Sequence, residues 1–150
     1  MQKELYAAQL FVDGYNCAQA VVMAFADELG LEEAFCAKIR SSFGGGMGRM
    51  REVCGAVSGM LMVAGLLYGY DGPETGDIKK NHYARVQALA EQFRQEAGSI
   101  ICREILKNPP HSPEPTPRTE EFYRDRPCTR LVVLAVRTMQ NYIAENPIDK

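Results

Sequence analysis

The chain carries five cysteines in 150 residues, yet no two of them stand in a Cys-x-x-Cys pair. That absence excludes a thioredoxin-type active site, and the lack of Cys-x-x-Cys-His excludes covalent haem attachment. No long basic run is present and the formal net charge is −2, so nothing supports a nucleic-acid partner. The opening segment, Met1 to Ala7, has neither a long apolar stretch nor a cleavage pattern and does not read as a secretion signal. A cytoplasmic, reducing location is therefore the expectation, and there cysteines serve metal binding or reversible redox work more often than permanent cross-links. Tryptophan is absent, which excludes nothing. Alternating strand patterns and internal repeats are also missing.

What is there is ordinary in bulk. Hydrophobic residues make up 46% and charged residues 24%, which fits one compact domain over residues 1–150 with a sizeable core. Val53 to Tyr70 holds no charge and is just long enough to raise the membrane question. Its Gly, Ala and Ser content, the charges close on both sides and the lack of a second such span favour a buried helix in a soluble, membrane-free protein.

The apolar spacing predicts an all-α bundle around that helix. A first helix spans about 2–12 with Leu5, Ala8 and Val12 on one face, and Gly14 breaks it. Asn16 caps a second helix to about Leu29, with Ala20, Val21, Ala24 and Phe25 as its stripe, and Gly30 stops it. A third runs from about Leu31 to Ser42 with Leu31, Phe35, Ile39 and Phe43 aligned. Gly44 to Gly48 is too rich in glycine for regular structure. The apolar fourth helix follows from about Arg51 to Tyr68. A long amphipathic helix covers about Thr75 to Glu96 on Ile78, Tyr83, Val86, Leu89, Ala90 and Phe93. Gly98 ends it and Ser99 caps a short helix through Leu106. Five prolines make Asn108 to Pro117 an extended connection. The last helix opens at Cys128 with Leu131, Leu134, Ala135, Thr138 and Tyr142 on one face.

Four cysteines, Cys17, Cys54, Cys102 and Cys128, fall at expected helix starts. Partial positive charge and unpaired N–H groups collect there, and both favour a thiolate, the form that attacks disulfides and binds metal. Glycines spaced by four, Gly55 with Gly59 and Gly65 with Gly69, let another backbone approach. At the first pair, beside Cys54, such an approach could deliver a second cysteine. The glycine run lacks a Gly-Lys-Ser/Thr ending, and Arg49 takes the place of the third glycine of a dinucleotide fingerprint, so nucleotide binding is disfavoured. The run is then either a structural turn or a loop whose N–H groups face the cysteines, with Arg49 and Arg51 beside it to stabilise a thiolate or an anion. Cys36, inside the third helix, reads as a small buried hydrophobe. His82 is a weak ligand candidate, His111 is expected to lie exposed in the proline-rich connection, and Ser58 is more a helix-bonding hydroxyl than a nucleophile.

Asn16-Cys17-Ala18-Gln19-Ala20, Gly44 to Gly48, Cys54-Gly55-Ala56-Val57-Ser58-Gly59, Phe93, Gly98, Cys102 to Leu106 and Cys128 follow one another in the order of a known pattern. In these residues, which span nearly the whole chain, the sequence resembles the C_GCAxxG_C_C family of prokaryotic redox-active proteins. The resemblance implies that Cys17, Cys54, Cys102 and Cys128 are the functional residues and that Cys36 is not. Two uses of such a set stand open. In one, the protein is a thiol-dependent oxidoreductase, or an electron carrier, acting on a redox partner or a small-molecule oxidant: one cysteine attacks and a second resolves the intermediate. In the other it is not an enzyme but a metal-binding protein, with four thiolates holding zinc or an iron–sulfur cluster. A helical interaction module with merely buried cysteines ranks third.

Overall fold

The computed structural model describes residues 2–73 and 76–148. The helices are α1 (Gln2–Val12), α2 (Cys17–Ala24), α3 (Ala26–Leu29), α4 (Glu33–Arg40), a four-residue turn α5 (Gly44–Met47), α6 (Gly55–Tyr68), α7 (Asp77–Ala97), α8 (Cys102–Leu106), α9 (Glu120–Asp125) and α10 (Cys128–Glu145). The fold is all-α, as the sequence predicts; one isolated antiparallel bridge joins Val53 to Ile101.

Local chemistry sets the helix ends that matter for the cysteines. The Asn16 carboxamide oxygen accepts from the Gln19 N–H at 2.8 Å, and the Asn16 N–H donates to the Gln19 side chain at 3.0 Å. This reciprocal cap stabilises the start of α2 by about 1 kcal/mol and fixes Cys17 in its first turn. The Gln19 amide also donates to the Ala37 carbonyl at 2.9 Å, tying α4 to α2. Gly30 and Gly98 close α3 and α7 in the left-handed region, as their positions suggested.

The core gathers on α2, which packs against α1, α4, α6 and α10. Six of its eight residues are buried, Ala18 and the run Ala20 to Ala24. Phe25, Met60, Leu89, Phe93 and Met139 fill the layers around it, each contributing roughly 1.5–3 kcal/mol by leaving water. α6 buries Ala56, Val57, Met60, Val63 and Ala64 but turns Leu66 outward, 52% exposed, so it is a one-sided core helix rather than one enclosed all round. Among the described residues no helix is long and apolar enough to cross a membrane.

Several expected faces are rotated. On α1 the core takes Ala7, Leu10 and Phe11, while Leu5 and Val12 are exposed; on α4 it takes Cys36 and Arg40 and leaves Phe35 out. On α7 Leu89 and Phe93 are buried, but Ile78 and Tyr83 are not, and the expected start at Thr75 lies outside the described residues. The second helix is interrupted at Phe25, whose N–H bonds back to Val22 before α3 begins. The fourth helix starts at Gly55, not Arg51. Residues 52–54 are instead extended, because the Cys54 N–H donates to the Ile100 carbonyl at 2.7 Å and the Cys102 N–H to the Glu52 carbonyl at 2.6 Å. Backbone partners from a distant segment outcompete helical continuation there.

Candidate functional site

Cys17, Cys102 and Cys128 occupy the first positions of α2, α8 and α10, and Cys54 is the cap residue before α6. All four line one cavity of about 330 Å³. Two close approaches bring them there. A Cβ added at Gly55 would lie 2.5 Å from the Cys17 Sγ, so only a glycine beside Cys54 lets that sulfur in. A Cβ at Gly46 would lie 2.7 Å from the Cys102 Cβ. The paired extended segments place Cys54 and Cys102 on one short ladder. All five cysteines are free thiols, and Cys36 lies apart, wholly buried in α4.

The glycine run forms the cavity's tightest wall. φ is positive at Gly45, Gly46, Met47, Gly48 and Arg49 in succession, and again at Arg51. For the three residues with side chains this left-handed geometry costs roughly 1–2 kcal/mol each, and such strain collects at functional sites. It aims two arginines inward. Arg51 is 3% exposed; its Nε donates to the Pro110 carbonyl at 2.9 Å and its Nη1 to the Cys102 Sγ at 3.6 Å. Its Nη2 is buried without a partner. Arg49 donates to the Ser112 carbonyl at 2.8 Å and to the Thr116 hydroxyl at 2.7 Å, strapping the proline-rich connection across the cavity. Arg118 closes the far side, bonding to the Phe11 and Tyr15 carbonyls and stacking on the Phe11 ring. A fourth arginine, Arg126, also lines the space.

Burial overrides the helix-start effect at three of the four sulfurs. Desolvation pushes the Cys128 thiol up to about 12, with the nearby Cys17 adding to it and Arg126 opposing. Cys54 is driven up further, by burial first and by Cys17 next, against the N–H groups of Val57 and Ala56. Cys17 is raised by burial, with the Gly45 N–H pulling the other way and Cys102 adding to the rise. The expectation that helix starts favour thiolates is corrected here: at Cys17 and Cys54 the local N–H groups act in the expected direction, but loss of water outweighs them, and at Cys128 only arginines oppose the rise. These mutual effects also make Cys17 the sulfur whose charge reaches the neighbours Cys54 and Cys128, and which itself responds to Cys102. Arg40, buried against the Phe43 ring and bonded to the Ser58 hydroxyl, is held down to about 10 by burial and lifted by Cys17.

His82 is buried beside Tyr70 and Arg85, away from the cysteines, and His111 is exposed. Ser58 bonds back to the Gly55 carbonyl. Among the described residues no three Cys, His, Asp or Glu side chains are grouped to hold one metal ion. Sequence reasoning missed Arg118 and Arg126 as wall residues; each packs on Phe122, with no spacing signal to mark it.

A family described as "Putative redox-active protein (C_GCAxxG_C_C)" matches residues 15–142. No curated protein and no solved structure matches the chain.

Proposed function

Because the chain belongs to this redox-active family, we propose that it is a thiol–disulfide oxidoreductase in which Cys102 attacks and Cys17 resolves. The observation that carries the reading is the Arg51 guanidinium at 3.6 Å from the Cys102 Sγ, inside a cavity that three further cysteines share. A cationic donor beside a sulfur holds the negative charge that exchange develops on it. Burial works against that charge at Cys17, Cys54 and Cys128.

Cys102 gives up its proton to water and its sulfur attacks one sulfur of an organic disulfide. A mixed disulfide forms, the substrate S–S bond breaks, and the first leaving thiolate takes up a proton. Cys17 then loses its proton and attacks the Cys102 sulfur, releasing the second thiol and closing a Cys17–Cys102 disulfide. Two electrons and two protons pass from the protein to the substrate, which leaves as two thiols; an external dithiol restores the reduced protein. Cys54 and Cys128 stand as reserve partners for Cys17. The reading places this cycle in the cytoplasm, where cysteines rest as thiols.

The test is to mix reduced protein, purified without air, with bis(2-hydroxyethyl) disulfide and map the products by mass spectrometry. A Cys17–Cys102 linkage is expected, and Cys17→Ser should trap the mixed disulfide on Cys102. Adducts only on other cysteines, a chain that stays fully reduced, or stoichiometric zinc or iron in the purified protein would overturn the assignment.

A further inference from the structure

The cavity is cationic without neutralising acids. Arg49, Arg51, Arg118 and Arg126 line it, and among the described residues no Asp or Glu does. None of the four is in an ion pair among the described residues. Arg51 and Arg126 both act on Arg49, lowering its proton affinity after burial has done so, while Glu114 opposes from the strap without lining the space. The guanidinium of Arg126 faces the Phe122 ring at 5.1 Å instead of a carboxylate. Deepest of all, Arg51 is 3% exposed and its Nη2 has no acceptor. A buried cationic N–H without a partner is costly, and an acceptor on a ligand would relieve it. A volume of about 330 Å³ suits a small molecule.

Resting on the exchange reading above, we propose that the disulfide reduced here is a small one carrying a carboxylate close to its S–S bond, with Arg51 and Arg126 seating the acid group beside Cys102. Arg51 is thus both the sulfur's neighbour and the first anchor of the substrate. The electron and proton balance is that of the exchange, and the acid group changes only which disulfide is bound.

Three disulfides of like size test this: 3,3′-dithiodipropionate with two carboxylates, neutral bis(2-hydroxyethyl) disulfide, and cystamine with two ammonium groups. Oxidation of the reduced protein is expected to slow in that order, with the dianion about tenfold ahead of the neutral compound and the lead shrinking in salt. Arg51→Gln should remove most of the lead. Since Arg51 also holds Pro110, the second variant is Arg126→Gln, expected to cut the dianion-to-neutral ratio by about threefold. Equal rates for the dianion and the neutral compound, or cystamine in front, overturn the proposal. The thioether 3,3′-thiodipropionate, which cannot exchange, separates the two readings. If it binds in calorimetry, and more weakly to Arg126→Gln, while no disulfide oxidises the protein, the acid site stands and exchange falls. If it does not bind and all three disulfides react alike, exchange stands and acid selectivity falls.

Discussion

The two halves of α6 contain the same device and use it differently. Gly55 and Gly59 in the first half meet α2 closely: an added Cβ would lie 2.5 Å from the Cys17 Sγ at the first and 3.1 Å from the Ala18 carbonyl at the second. Gly65 in the second half meets nothing within 4 Å, and Gly69 is the cap residue, close only to the carbonyl end of its own helix. Identical spacing in the sequence therefore has two meanings. In the first half glycine is the absence that admits a sulfur. In the second it is a weak point in a half-buried turn, where neighbouring Leu66 faces solvent.

Alanine at each position breaks or confirms this contrast. Gly55→Ala should act most strongly, since neither the Cys17 sulfur nor the Phe43 carbonyl at 3.0 Å can yield easily; a loss of about 2–3 kcal/mol in urea unfolding is expected. The same variant should displace Cys17 and slow formation of the Cys17–Cys102 linkage, and unchanged stability would refute the close approach. High pH should act next. Cys17, Cys54 and Cys128 all titrate above their ordinary range, Cys128 at about 12. The unfolded chain therefore releases these protons first. Their stabilising contribution is complete below the ordinary thiol pKa of about 8.5–9 and is lost as pH rises from there towards 12, by at most about 1.4 kcal/mol per pH unit for each thiol. Urea midpoints at pH 8, 9 and 10 should fall, and fall less steeply in Cys128→Ala; parallel slopes would remove Cys128 from the account. The smallest effect belongs to the second half: Gly65→Ala should raise stability by about 0.5–1 kcal/mol through helix propensity alone, and a measurable loss there would erase the distinction between the halves.

How far the sequence alone could go follows the same line between local and distant causes. The caps at Asn16, Gly30 and Gly98 depend on residues a few positions away, and the sequence shows them. The gathering of four helix-start cysteines is legible through the motif order, and Gly55 was the local sign that a sulfur would arrive. The faces of α1 and α4 were not legible. On α1, Leu5, Ala8 and Val12 satisfy the helical period as well as Ala7, Leu10 and Phe11 do, and only the packing of α10 and α2 against α1 selects between them. The extended stretch at 52–54 depends on partners at 100–102, and α9 depends on Phe122 and Tyr123 meeting Phe11 across the chain. The thiol energetics fail for a related reason. A helix start is visible in sequence, whereas the loss of water that opposes it depends on the whole enclosure.

The short ladder between residues 52–54 and 100–102 has one more consequence. The amides of Cys54 and Cys102 are each hydrogen-bonded to the opposite segment, so neither can open without releasing the other. In hydrogen–deuterium exchange the two should become labelled together, as one cooperative opening, and a rearrangement at either thiol would be felt mechanically by its counterpart about fifty residues away along the chain.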